Sequence, residues 1–183
     1  MTLKYRAAVL HQAGKPLAIE QVSSGDPAPT DVVVRVRAAG LCHTDLEVID
    51  GSLRYPLPMI LGHEAAGVVE QVGPEVDTVK VGDHVILSWN PHCGHCFQCD
   101  RGQPILCDTY LGEGPKGLHF DGRSKPSYGG ARPLRDFPLL ARAYLEGRLK
   151  LDELITARAR LDDINRGFAD LREGRSIRTV IEF

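Results

Sequence analysis

The sequence lacks the features that would mark a membrane protein, a secreted protein or a nucleic-acid-binding protein. No apolar run approaches the roughly 18 residues of a membrane-spanning helix. The formal net charge is only -2, so no excess of positive charge favours nucleic acid or a lipid surface as a partner. The chain starts Met-Thr-Leu-Lys without an apolar secretory segment, which predicts a cytoplasmic protein with reduced cysteines.

Turn-forming residues, by contrast, are abundant. The 183 residues include 19 Gly and 12 Pro, and the hydrophobic fraction of 43% is ordinary for a globular domain. Frequent turns favour short strands over a helical bundle. We therefore predict one mainly β domain, with some α-helix, over residues 1–183.

Hydrophobic patterning places these elements along the chain. A helix is predicted at 44–49, ended by Gly51, and two more apolar helical stripes fall near 139–144 and 164–171, the second behind a cap at Asp162. Between 111 and 133 the pattern is that of a long loop. Alternating or β-branched runs predict strands at 5–10, 17–22, 32–38, 65–72, 84–88 and 177–183.

Four of the five cysteines form a metal-ligand pattern, C-x2-C-x2-C-x7-C, within residues 91–108, here called the four-cysteine lobe. They are Cys93, Cys96, Cys99 and Cys107. This spacing is typical of tetrahedral zinc, whereas the alternative of two disulfides would require an oxidising compartment. Four protein ligands leave no open coordination position, so the zinc is expected to be structural.

A second candidate group lies upstream, around Cys42 and His63. A thiolate and an imidazole are the donors of many catalytic zinc sites, and Asp45 or Glu64 is available to orient the imidazole. The alternative is that Cys42 and His63 are ordinary core residues, since free cysteine is often buried. The four-cysteine lobe downstream favours the metal interpretation.

Together these motifs resemble the zinc-dependent alcohol dehydrogenases of the medium-chain dehydrogenase/reductase family. The resemblance rests on Gly-Leu-Cys-His-Thr-Asp at 40–45, Gly-His-Glu at 62–64, Val-Gly-Asp at 81–83, the four-cysteine lobe, and Ser-Ile-Arg-Thr at 176–179. It implies a GroES-like, partly open barrel of short strands with a zinc lobe and C-terminal helices. The family reaction is the NAD(P)-dependent oxidation of alcohols to aldehydes or ketones.

The resemblance also assigns roles at the catalytic zinc. Cys42 and His63 correspond to two of its three ligands, and Glu64 to a carboxylate that can approach the metal. Thr44 corresponds to the hydroxyl that receives the proton of the substrate alcohol, and Asp45 to the carboxylate that steadies the ligand histidine.

Three further positions concern the cofactor, the substrate pocket and the proton path. His43 and Arg178 correspond to residues that contact the cofactor pyrophosphate. Trp89 stands where the family has a bulky wall of the substrate pocket. Several family members have a relay histidine where this chain has Glu47, so the resemblance does not assign the proton path to solvent here.

Two elements of the family pattern are missing. The four-cysteine lobe is followed almost directly by the C-terminal part, so 1–127 and 128–183 are joined without the Rossmann nucleotide-binding domain between them. The Gly-x-Gly-x-x-Gly match at 112–117 has no strand before it and no helix after it, and is not expected to bind a dinucleotide. With four of five cysteines in the lobe, the third catalytic-zinc ligand that the resemblance implies, a thiolate, is also missing.

These absences lead to the functional expectation. NAD(P) is not expected to bind, and dehydrogenase activity is expected to be lost or very weak in this chain alone. Two alternatives stay open: a residual zinc Lewis-acid hydrolase, and a non-enzymatic zinc-stabilised structural or interaction module. Apolar surface that the family covers with the partner domain would favour self-association.

Overall fold

The computed structural model describes residues 3–24, 26–87, 92–109 and 136–183. Its strands are β1 (Leu3–Leu10), β2 (Ala18–Ser24), β3 (Val32–Gly40), β4 (Met59–Ile60), β5 (Ala65–Val72), β6 (His84–Leu87), β7 (Ala157–Ala159) and β8 (Thr179–Glu182). Its helices include α1 (His43–Asp50), α2 (Phe97–Asp100), α3 (Asp136–Leu145) and α4 (Ile164–Arg172), with 3-10 turns at Pro104–Leu106, Asp152–Leu154 and Leu161–Asp163. The prediction of a mainly β domain with some helix is confirmed.

The strands form two open sheets. The larger has the order β6-β5-β3-β8-β7, antiparallel throughout except for the parallel pair β7 and β8, and the smaller has the order β2-β1-β4. The described residues do not close either sheet into a barrel.

One end of β3 is where the topology brings distant residues together. Because β3 is antiparallel to both β5 and β8, its last residues lie beside the first residues of those two strands: Ala39 pairs with Ala65, and Gly40 with Val180. The backbone N–H of Leu41 extends this contact by donating to the carbonyl of Thr179 at 3.0 Å. The segments that follow β3 and precede β5 and β8 therefore meet at one sheet edge.

The main hydrophobic core lies against this edge. Its central members come from both halves of the chain, and α4 is packed into it by Phe168 and Leu171. The close fit is visible at Gly167, where an added β-carbon would lie 2.7 Å from the Leu41 side chain. The other buried members include Leu10, Leu17, Leu41, Leu46, Val48, Ile49, Met59 and Ile181.

One predicted strand and one predicted helix match the structure closely, and one predicted helix cap does not. The strand at 65–72 is confirmed to the residue, and the helix at 44–49 is confirmed with Gly51 as its left-handed cap at φ 83°. The predicted helix cap at Asp162 is wrong, because Asp162 lies in a 3-10 turn, its carboxylate pairs with Arg6, and the helix begins after Asp163.

The last strand is shorter than predicted, and several predictions lie outside the described residues. β8 begins at Thr179 rather than at 177 because the N–H groups of Ile177 and Arg178 donate to the Thr156 hydroxyl instead of a neighbouring strand. Trp89, the glycine motif at 112–117 and the long loop lie outside the described ranges. None of the helices in those ranges has the length and apolarity that crossing a membrane requires.

Candidate metal centres

The four sulfur atoms of the four-cysteine lobe face one another. Cys96 caps the start of α2, Cys99 lies within that helix, and Cys107 follows the 3-10 turn at Pro104–Leu106. All four Sγ atoms lie within 4.8 Å of one another, and the Cys96 and Cys107 sulfurs are 4.0 Å apart. The backbone N–H of Cys93 donates to the Cys107 sulfur at 3.3 Å, which joins the two ends of the lobe.

This geometry fits tetrahedral zinc. With Zn–S bonds of about 2.3 Å, four tetrahedral sulfurs lie about 3.8 Å apart, close to the observed separation. A hydrogen bond from the Thr109 hydroxyl lowers the pKa of Cys93 to about 5, while loss of water around its sulfur raises the pKa of Cys99 to about 11. Desolvation thus opposes ionisation of Cys99, and a bound cation would offset this cost.

A second group of donors meets at the end of β3. A Cys42 sulfur, a His63 ring nitrogen and a Glu64 carboxylate oxygen lie within 4.8 Å of one another, and all three residues are half-buried. Cys42 follows β3 after one intervening residue and is the N-cap of α1, while His63 and Glu64 directly precede β5. The convergence follows from the antiparallel pairing of β3 with β5, and it offers one thiolate, one imidazole and one carboxylate to a metal.

Asp45 is the buried carboxylate that holds this second group together. One oxygen lies 3.3 Å from His63 Nδ1 and accepts from the Gly62 N–H, while the other accepts from the Cys42 N–H. The hydrogen bond that the His63 ring donates to Asp45 is the main cause that raises the pKa of His63 to about 9. Because Asp45 occupies Nδ1, Nε2 is the nitrogen left for a metal. Zinc must displace the proton there, so its affinity should rise with pH.

The Glu64 carboxylate also pairs with Arg178, the residue before β8. Arg178 Nη1 donates to both carboxylate oxygens at 3.1 Å each. Gly40 provides the space, since an added β-carbon there would lie 2.3 Å from Glu64 Oε2. The carboxylate therefore lies between the metal donors on one side and a guanidinium on the other.

The other predicted site residues lie on or beyond α1. Thr44 Oγ1 is 3.7 Å from the Cys42 sulfur, so the hydroxyl reaches the second donor group. His43 is exposed in the first turn of α1, and Glu47 is exposed farther along that helix. Trp89 is outside the described residues.

Three parts of this arrangement were missed from the sequence. These are the Glu64–Arg178 ion pair, the clearance at Gly40, and the Thr156 hydroxyl that holds the backbone before β8. The ion pair joins residues 114 positions apart, a separation that carries no local pattern. The Gly at the end of a β-branched strand was the one available signal of a close approach.

Comparison with known proteins identifies the same family. The family model described as the alcohol dehydrogenase GroES-like domain matches residues 28–131. The NDMA-dependent alcohol dehydrogenase of Amycolatopsis methanolica is 43% identical over 155 residues, which are 82% of this chain and 42% of that protein. Geraniol dehydrogenase of Castellaniella defragrans is 50% identical over 102 residues, which are 56% of this chain and 27% of that protein. The chain thus spans less than half the length of these relatives.

Solved structures agree on the fold. The alcohol dehydrogenase zinc-binding domain protein from Burkholderia ambifaria has a TM-score of 0.86, with 19% identity and full coverage of both chains. A thermostable alcohol dehydrogenase from Pyrobaculum aerophilum is 34% identical with a TM-score of 0.56, over 69% of this chain and 37% of that one. The predicted GroES-like fold is therefore confirmed, with open sheets. Since the family model covers more than half of the chain, this protein belongs to the alcohol dehydrogenase GroES-like domain family, as a catalytic domain of the zinc-type medium-chain dehydrogenases.

Proposed function

We propose that this chain is a zinc-binding alcohol dehydrogenase domain that holds two metals of unequal affinity. The four-cysteine lobe holds a structural zinc. Cys42, His63 and Glu64 hold a second, weaker zinc. The observation that carries the proposal is the meeting of a thiol, an imidazole and a carboxylate at the end of β3.

The second zinc is the weaker of the two because Cys42 is the one thiolate in its ligand set, and the further cysteine ligand of the family is missing. The chain has five cysteines, of which four lie in the lobe, so Cys42 is the one left for this site. A carboxylate or water in place of sulfur removes a soft donor and gives a wetter ion. Cys42 and His63 would hold the metal, and Glu64 would complete the set.

The chemistry of this site follows the family reaction as far as the residues allow. A zinc bound here would act as a Lewis acid toward the oxygen of a small alcohol or aldehyde. Thr44, whose hydroxyl lies 3.7 Å from the Cys42 sulfur, would receive the alcohol proton, and Asp45, 3.3 Å from His63 Nδ1, would hold the ring in position. His43 and Arg178 would be a vestigial cofactor contact, and Trp89 a wall of the substrate pocket.

Dehydrogenation by this chain alone is expected to be lost or very weak. Hydride transfer requires a nicotinamide held against the alcohol carbon. The sequence between the four-cysteine lobe and the C-terminal part does not show the pattern of a strand, a glycine-rich turn and a helix that is typical of a pyrophosphate site. We interpret 1–127 and 128–183 as the two parts of one catalytic domain, joined directly.

Two further properties belong to this proposal. A metal ion with few protein ligands binds more water and lowers the pKa of that water. This supports slow hydrolysis as the alternative activity. Exposed apolar side chains, including Leu145 and Ile177, support self-association of the chain. The non-enzymatic alternative, a module stabilised by the structural zinc, predicts no metal at Cys42.

The cofactor part of the proposal is tested by titrating the zinc-loaded chain with NADH and with NADPH, followed by calorimetry and nicotinamide fluorescence. We expect a millimolar dissociation constant or no binding, because the sequence shows no strand, glycine-rich turn and helix pattern that would place a helix N-terminus at the pyrophosphate. Arg178→Gln is the matched variant, because binding through the vestigial cofactor contact would weaken in it and binding elsewhere would not change. A micromolar constant would contradict the proposal and show that the chain has a nucleotide site.

A further inference from the structure

The Glu64 carboxylate lies between two competing positive partners. Arg178 Nη1 donates to both of its oxygens at 3.1 Å, and a carboxylate oxygen also lies within 4.8 Å of the Cys42 and His63 donor atoms. We propose that Arg178 is a positioning residue that restrains Glu64 and thereby weakens the coordination of its carboxylate to a metal at Cys42 and His63. The inference rests on the proposed function, since it requires a metal at Cys42 and His63.

Backbone hydrogen bonds hold Arg178 in place. Its carbonyl accepts hydrogen bonds from the N–H groups of Thr156 and Ala157 at 3.0 and 3.3 Å. The Thr156 hydroxyl also accepts hydrogen bonds from the backbone N–H groups of Ile177 and Arg178, at 2.8 and 3.4 Å. The guanidinium therefore projects from a fixed point beside the metal donors.

Glu64 is fixed as well, by the end of β3. Its carbonyl accepts from the Gly40 N–H at 3.0 Å, and its carboxylate lies so close to Gly40 that a β-carbon there would be 2.3 Å from Oε2. With both backbones fixed, the carboxylate has a short range of movement between the guanidinium and the metal donors. Coordination by Glu64 must therefore disturb its ion pair with Arg178.

The competition between Arg178 and the metal for Glu64 is expected to change the metal affinity by a small but measurable amount. The ion pair is partly exposed, with side-chain exposures of 44% for Arg178 and 37% for Glu64. Partly exposed ion pairs have a small stabilising free energy. Losing this one should therefore change the metal affinity by about two- to fivefold when Arg178 is replaced. A lysine retains the charge but not the rigid fork of donors, so Arg178→Lys should give an intermediate affinity.

The test is a Co²⁺ titration of the full chain with zinc already in the four-cysteine lobe. The sulfur-to-cobalt absorption band that is lost in Cys42→Ser identifies the second site, and the visible bands of Co²⁺ report whether carboxylate or water is bound. We expect Arg178→Gln to tighten Co²⁺ binding by about two- to fivefold and to change the visible spectrum. In a Glu64→Gln background, Arg178→Gln should have no further effect.

The outcomes separate this inference from the proposed function. Unchanged affinity and spectrum in Arg178→Gln would overturn the role of Arg178 alone. Equal tightening in the Glu64→Gln background would also overturn it, because the guanidinium would then act through its charge rather than through Glu64. Absence of the Cys42-dependent band in every variant would overturn the proposed second metal site and this inference with it.

Discussion

Replacing Cys107 with Ser is expected to remove one zinc per chain and to unfold the four-cysteine lobe. Cys107 is 0% exposed, and its sulfur accepts the Cys93 N–H while facing the other thiols. Structural zinc contributes an apparent 10–16 kcal/mol, roughly the whole stability of a domain, so the lobe should not stay folded without it. Elemental mass spectrometry should show a lower zinc content. Limited proteolysis should show rapid cleavage within 92–109.

Cys42→Ser is the matched control, because Cys42 is the cysteine outside the lobe. It should keep the tightly bound zinc and the protease resistance of the lobe. A Cys107→Ser protein that retains both would show that zinc does not hold this lobe together. Reducing agent is kept present throughout, so that a disulfide cannot substitute for the metal.

Replacing Phe168 with Ala is expected to lower the free energy of unfolding by about 3–5 kcal/mol. Phe168 is 4% exposed and belongs to the core that joins α4 to α1 and to Leu41, the residue before Cys42. The cavity left by the ring would cost a large part of the roughly 5–15 kcal/mol that stabilises a domain. Urea unfolding with zinc present measures the change.

Phe183→Ala removes the same side chain from a position where it is 50% exposed. We expect a loss within about 0.5–1 kcal/mol for this variant, because little apolar contact is removed. Equal losses for the two variants would mean that α4 is not packed into the core as the structure describes.

The sequence predicted those parts of the fold in which local pattern and tertiary packing agree. The strand at 65–72 is β-branched and bounded by turns, and the helix before Gly51 ends where a left-handed residue is required. β7 was not predicted because its three residues, Ala157–Ala159, are too few to show a period. Its parallel pairing with β8 comes from tertiary contacts alone.

In the candidate metal sites, too, the sequence predicted the groups of residues that lie close together in the chain. Cysteine spacing predicts the four-cysteine lobe because all its donors lie within one short segment. The grouping of Cys42 with His63 needed the family resemblance, since the two residues are brought together by strand pairing. The partner of Glu64 was not predictable, because Arg178 reaches it through β8 and the Thr156 hydroxyl from the far end of the chain.

Counting zinc per chain before and after mild chelation is the most direct test of the central claim, that the chain has one strong and one weak metal site. After loading, we expect up to two zinc ions per chain. After exposure to a chelator of moderate affinity, one should remain, bound by Cys93, Cys96, Cys99 and Cys107. Two chelator-resistant zinc ions per chain would contradict the account, because the site of Cys42, His63 and Glu64 would then be as strong as one with a complete set of ligands.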